Sequence, residues 1–387
     1  MRKWFCLLLA MLILAAAIPL AGCAGEKGTY KIGALFALSD YNSSLGIPEK
    51  QTVDMMVEQI NAKGGINGHK LEVVVYDTKS STQECVTLAT KLIEQDQVLA
   101  IIGPSSTGES NALKSIVTEA QIPLISCAAG ASIVTPIEDS YWVFKTPQSD
   151  ILAVKELYKY LRDVKGFTDI AIITSSDGFG AGGKGFLESQ ASSYGIKIVD
   201  KETFDPTATS VDSQLTTIRN TSAQAIVCWG TSQGAAVVAQ GRSALNISIP
   251  LFCSHGVANK QFITSAGTAA NGVIFPAGKL LIADQLPDSN PQKSLLVEYK
   301  TDYEDEYGAG TINTFGGHAY DALNMVVEAL KEVGADKAKI RDYIENDITD
   351  WPGTGGIFSM STEEHNGLGE GSFVMVKIVD QEWTWLQ

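Results

Sequence analysis

Five short stretches concentrate the residue types that can meet a ligand with hydroxyls and backbone groups: 39–46, 103–108, 126–132, 177–185 and 230–234, all rich in Gly, Ser, Thr or Ala. Small side chains let backbone N–H groups approach a bound molecule, and helix N-termini that follow such loops favour anions. Two of the five mimic enzymes. Gly178-Phe179-Gly180-Ala181-Gly182-Gly183-Lys184 has the spacing of a phosphate-binding loop, yet Gly185 stands where a Ser or Thr should hold magnesium. Gly230-Thr231-Ser232-Gln233-Gly234 fits the nucleophile elbow of serine hydrolases. Such a hydrolase would draw its acid and histidine from Asp284 or Asp321 and His318 or His365. The alternative is a loop that only contacts a ligand or starts a helix. His69, His255, His318 and His365 are far apart, with no spacing that suits a metal, and nothing calls for a cofactor.

These loops need strands and helices to hold them. From Tyr30 onward short β-rich runs alternate with helical stretches: 30–36, then a helix over 51–61 with Val53, Met56, Val57 and Ile60 at helical spacing, then strand 71–76 and helix 84–94. Strands at 98–102 and 123–126 follow. The pattern restarts after Pro147 with helix 151–161, strand 169–174, helix 178–193 and strands at 196–204, 225–229, 250–253 and 272–275. Alternation of this kind predicts parallel sheets covered on both faces, here in two α/β lobes. The last third carries longer helices at 292–307 and 316–333, and a hairpin of 356–360 with 373–379 across Asn366-Gly367. Open parallel sheets bind ligands beyond the carboxyl ends of their strands, where the five loops fall.

The N-terminus has the order of a secretory signal: Arg2 and Lys3, an apolar run from Leu7 to Leu20, then small residues. Leu20-Ala21-Gly22-Cys23 resembles the lipobox of bacterial lipoproteins, which predicts removal of residues 1–22 and acylation of Cys23. Two or more acyl chains, at about 0.8 kcal/mol per buried CH₂, would hold the chain durably to a membrane. Residues 23–29 then form a tether, and the rest is an extracytoplasmic body at a periplasmic face or cell surface. That body carries 27 Lys and Arg against 44 Asp and Glu, which excludes nucleic acid as a natural partner. Cys85, Cys127, Cys228 and Cys253 remain; buried free thiols are the favoured reading, with a Cys228–Cys253 bridge left open.

Taken in order, several segments resemble the leucine/isoleucine/valine-binding protein family, the type I periplasmic binding proteins of ABC importers. They are Lys31-Ile32-Gly33 with Leu38-Ser39, the run 61–77 (NAKGGINGHKLEVVVYD), Ile102-Gly103-Pro104-Ser105-Ser106-Thr107-Gly108, Pro123-Leu124-Ile125-Ser126 and Tyr320-Asp321-Ala322. The resemblance implies two Rossmann-like lobes joined by a three-stranded hinge, one of residues 30–145 plus 276–351, the other of 146–275 plus 352–387. It implies a monomer that closes on a small-molecule carboxylate or amino acid and delivers it to membrane permease subunits, without covalent chemistry; a sensory ligand-binding component is the competing role. Carried over, the carboxylate hydroxyl falls on Thr107 beside Ser106, and backbone contacts on Ala128, Ala129 and Gly130. Further cleft contacts fall on Phe179, Phe315, Ser232 and Leu45. His255 stands where the family has an acidic partner for the ligand's amine, and Gly130 lacks a hydroxyl common there. The expected ligand is therefore a small carboxylate with an apolar or aromatic body, with His255 as a donor to it. The rival is a branched-chain amino acid whose amine meets Asp177, Asp40 or backbone carbonyls.

Overall fold

The computed structural model describes residues 27–387. Residues 1–22, the expected lipidation position Cys23 and the expected tether before Lys27 lie outside them. The first unit runs β1 (Lys27–Phe36), α1 (Ser43–Ala62), β2 (His69–Asp77), α2 (Thr82–Glu94), β3 (Ile101–Ile102), α3 (Thr107–Ala120), β4 (Leu124–Ser126) and β5 (Val143–Lys145). Its strands form one parallel sheet in the order β2-β1-β3-β4-β5. On β1, Ile32, Ala34 and Phe36 join the core containing Val53 and Met56 of α1, while Leu35 joins Leu92 of α2 and Leu113 of α3. Helices cover both faces, so the strand reads as an unbroken apolar run instead of an alternating one. Each such aliphatic side chain contributes about 1.5–3 kcal/mol on burial.

The second unit continues with α4 (Asp150–Lys159), β6 (Asp169–Ser175), α5 (Gly178–Gln190), β7 (Lys197–Phe204), α6 (Asp212–Arg219), β8 (Ala225–Trp229), α7 (Ser232–Ala244), β9 (Leu251–Cys253), α8 (Lys260–Ala266) and β10 (Ile274–Gly278). Then come α9 (Lys293–Tyr307), α10 (Thr314–Val333), α11 (Lys337–Asp347), β11 (Trp351–Pro352), β12 (Ile357–Phe358), β13 (Phe373–Val379) and β14 (Glu382–Leu386). The second sheet has the order β14-β13-β10-β9-β8-β6-β7, parallel from β7 to β10 and antiparallel beyond. Helices α9 and α10 return to the first unit, where the Tyr299 hydroxyl meets that of Thr52 at 2.7 Å and Tyr303 donates to Gln51 at 2.7 Å.

Three boundaries differ from the sequence reading. Strand β1 begins at Lys27, within the expected tether, because Lys27 and Thr29 already pair with β2. Residues 276–278 stay in the second sheet, since Pro276, Ala277 and Gly278 pair with Met375, Val374 and Phe373. The expected hairpin across Asn366-Gly367 is absent among the described residues. The hairpin instead joins β13 to β14 through Asp380 and Gln381, both at positive φ (50° and 65°), the twist that suits a two-residue turn. Ile357–Phe358 pairs with Trp351–Pro352. Asn366 is held elsewhere: its amide donates to the carbonyls of Lys145 (3.2 Å) and Pro147 (2.9 Å).

Three crossing segments lie side by side between the sheets. Gln148 Nε2 donates to Gly355 O at 2.6 Å, and a Cβ on Gly278 would sit 2.9 Å from that same nitrogen. Asp321, from the Tyr320-Asp321-Ala322 motif, accepts from Thr354 N (2.7 Å), Thr354 Oγ1 (2.9 Å) and Gly355 N (2.8 Å). Cys228 and Cys253 are direct register partners on β8 and β9, and both are free, buried thiols, as are Cys85 and Cys127.

Candidate functional site

Where β3 ends, Gly103 takes φ +84°, and a Cβ there would lie 2.2 Å from the carbonyl oxygen of Leu35. Only glycine fits this turn, and it aims Ser105, Ser106 and Thr107 at the space between the two sheets. Ser106 caps α3: its Oγ accepts from Glu109 N at 3.4 Å and donates to Glu109 Oε2 at 2.7 Å, a capping-box arrangement. That leaves the N–H groups of Thr107 and Gly108 without intrahelical acceptors. From the other unit, Asp177 caps α5 by accepting from Gly180 N at 2.8 Å, which leaves the N–H groups of Gly178 and Phe179 equally open. The two helix starts nearly touch, for a Cβ on Gly178 would lie 3.1 Å from Gly108 N.

Between them is a cavity with about 800 Å³ of space not filled by protein atoms, its mouth included. Ser106, Thr107, Ala128 and Ala129 line it from the first unit, with Leu45 from the start of α1. Phe179 and His255 line it from the second unit, and Phe315 from α10. Thr107 is 3 % exposed and its Oγ1 accepts from Gly130 N at 3.2 Å, which leaves the hydroxyl hydrogen free to point at a ligand. Gly130 thus stands behind Thr107 and is not among the lining residues; a Cβ there would meet Thr107 Cγ2 at 2.3 Å. Ala128 N donates to Ser126 Oγ at 3.1 Å, so of the three backbone positions Ala129 offers the open N–H.

Ser232 does not line the cavity. Its hydroxyl is fully buried, accepts from Asn259 at 2.5 Å and faces Gly256 O at 3.4 Å, and no histidine hydrogen-bonds it. The elbow spacing therefore starts a helix instead of presenting a nucleophile. The glycine run 178–185 likewise forms the first turns of α5, where Gly183 gives room to the indole of Trp229, whose Nε1 would lie 2.1 Å from a Cβ. Asp40 is not a lining residue.

Several lining residues have no local signature as ligand contacts. Tyr41, at the outer end, has its phenol pushed up to about 12 by burial and then by the charges of Asp177, Glu109 and Asp205, so it stays a donor. His318 lines the cavity too, and so does Asp177, which the sequence offered as a partner for a ligand's amine. His318 lies one turn along α10 from Phe315, three residues away, which is the one spacing that could have pointed to it. Burial first, then the charge of Lys145, pushes the His255 pKa down to about 3; burial, His255 and Lys145 do the same to His318. Both imidazoles are neutral. Lys145 is fully buried and donates to Pro147 O at 2.6 Å; burial pulls its pKa down and that of nearby Asp150 up. No cluster of three or more His, Cys, Asp or Glu suited to a metal occurs among the described residues.

The two units are closed on the cavity. Thr231 Oγ1, after β8, donates to Asn42 Oδ1, at the start of α1, over 3.1 Å, and Thr314 N donates to Ala258 O over 3.3 Å.

Comparison with known proteins agrees with this architecture. The chain is 21% identical to the leucine-, isoleucine-, valine-, threonine- and alanine-binding protein of Pseudomonas aeruginosa, over 88% of this chain and 89% of that protein. It is 22% identical to the Leu/Ile/Val-binding protein of Escherichia coli, over 83% and 84%. Among solved structures, an extracellular ligand-binding receptor from Rhodopseudomonas palustris HaA2 superposes with TM-score 0.87 at 26% identity, over 93% of this chain and 100% of that one. The branched-chain amino acid transporter substrate binding protein of Streptococcus pneumoniae, in complex with isoleucine, superposes with TM-score 0.81 at 25% identity, over 92% and 100%. A family model described as periplasmic binding protein matches residues 29–382, nearly the whole described chain, and with two α/β units closed around one cavity this chain belongs to that family.

Proposed function

We propose that the chain is the solute-capturing lipoprotein of an ABC importer, binding a small carboxylate with an apolar or aromatic body by closure of its two lobes. One observation carries the ligand class. The open N–H groups of two helix starts, one from each lobe, converge with the Thr107 hydroxyl on a cavity otherwise walled by Leu45, Phe179 and Phe315. Hydroxyl and helix N-terminal donors suit a carboxylate, and rings and a leucine suit its body. Neutral His255 cannot pair with an ammonium as an acid would, whereas Asp177 lines the same cavity. Asp177 favours the second reading, an α-amino acid. The relatives named for branched-chain amino acids support the same class.

In this reading acyl chains on Cys23 keep the closing body near permease subunits. Among the described residues no helix is long and apolar enough to cross a membrane. Calorimetry with leucine beside 4-methylpentanoate, its amine-free analogue, tests the ligand class. Comparable affinities, both lost in Thr107→Val, support an anion site that needs no amine. Leucine binding a hundredfold more tightly shows that the site recognises the amine and overturns the amine-free ligand. Binding of either that is untouched by Thr107→Val sinks the carboxylate site.

A further inference from the structure

The carboxylate reading leaves two cavity-lining imidazoles unused. His255, in the turn after β9, is 6 % exposed, and neither ring nitrogen meets a protein hydrogen-bond partner. His318, at the start of the second turn of α10, is 4 % exposed, and its Nδ1 is likewise unmet. What surrounds His255 is aromatic: Phe179, Trp229 and Phe373 stand edge-on at 5.4, 5.9 and 5.2 Å between ring centres. These rings fix the imidazole plane but complete none of its hydrogen bonds. A phenylalanine would fill the same slot without leaving a buried donor and acceptor unmet, which is a costly state for any polar group.

These two groups sit at the hinge end of the cavity. The backbone carbonyl of His318 accepts from Thr146 Oγ1 at 2.8 Å, and the next residue, Pro147, lines the cavity and accepts from buried Lys145. Asp177 and Tyr41 line the cavity beside the starts of α3 and α5, where carboxylates surround the phenol. The cavity therefore has two chemically distinct poles joined by an apolar wall.

We propose that His255 and His318 together hold a second oxygen, a hydroxyl or carbonyl, at the far end of the ligand's apolar body, making the substrate class a small carboxylate with a distal polar group. A neutral imidazole has one N–H and one lone-pair nitrogen, so a hydroxyl that accepts from one ring and donates to the other meets one nitrogen of each. Both rings are held neutral, chiefly by burial. The proposal rests on the carboxylate lying at Thr107.

The test uses two matched pairs in calorimetry on ligand-free protein: phenylalanine with tyrosine, and 3-phenylpropanoate with 3-(4-hydroxyphenyl)propanoate. In the pair that binds, the hydroxylated member is expected to bind about tenfold more tightly or better, because a site built to bond a hydroxyl rejects its absence. His255→Phe and His318→Leu should each bring the pair to within about twofold of each other. The wild-type comparison stands even where a variant does not fold. Equal or weaker binding of the hydroxylated member overturns this inference and leaves the carboxylate reading intact, as does a hydroxyl preference that survives both substitutions. Failure of all four acids to bind, or binding indifferent to Thr107→Val, overturns both.

Discussion

At the scale of single residues, Thr107 works because of what stands behind it. Gly130 N donates to its oxygen, and the missing side chain leaves room for the threonine methyl. Gly130 is therefore less a lost hydroxyl than a support. Gly130→Ala would put a Cβ 2.3 Å from Thr107 Cγ2, and overpacking of this kind costs about 1–3 kcal/mol. Calorimetry should show leucine or 4-methylpentanoate, whichever the wild type binds, weakened about tenfold; affinity within twofold would mean Thr107 does not orient the ligand. His255 makes a separate prediction about pH. Its folded pKa, about 3, lies below the unfolded value near 6.5, so its contribution is present above pH 6.5 and is lost as pH falls toward 3. Between pH 7 and 5 this loss is about 2 kcal/mol. Urea unfolding should therefore show His255→Phe gaining about that much relative to wild type across the interval. A difference independent of pH would mean that the fold leaves the imidazole's pKa where it is in the unfolded chain.

At the scale of elements, the hinge depends on a helix reaching across it. Asp321, in the second turn of α10, gathers three donors from the last crossing segment. Asparagine would keep one acceptor oxygen and turn an NH₂ toward a donor. Asp321→Asn is expected to lower stability by about 1–3 kcal/mol in urea unfolding, and a loss under 0.5 kcal/mol, at roughly the scale of a surface change, would show that the segment is held by other bonds. The Tyr320-Asp321-Ala322 motif, read from the sequence as part of a family resemblance, thus has a mechanical role. The capping box at Ser106 is a similar case: the hydroxyl lines the cavity but serves α3.

For the whole molecule, closure brings α3 and α5 end to end and adds a bond from Thr231 to Asn42. A neutral hydrogen bond contributes about 1 kcal/mol, roughly a factor of five in an equilibrium. Thr231→Val should accordingly weaken ligand about fivefold, chiefly through faster release, because the closed form is less populated. Stopped-flow release rates equal to wild type would show that closure is held by the ligand alone.

The lobes, their parallel strands and the order of the five small-residue loops were legible in the sequence, because strand and helix periodicity is set by near neighbours. Local chemistry was legible too, as in the cap at Ser106 and Glu109. The hairpin was not: Asn366-Gly367 is a sound turn signal, but tertiary bonds to Lys145 and Pro147 tie Asn366 to the hinge, leaving Asp380-Gln381 to make the turn. Nor could spacing show that Tyr41, Asp177 and His318, from three distant segments, face one cavity, or that Ser232 faces away from it. Those facts arise only when two lobes close. The sequence by itself determined which segments become strands, helices and ligand-facing loops; the tertiary structure decided which side chains share the enclosed space, since that depends on groups up to hundreds of residues apart meeting across the hinge.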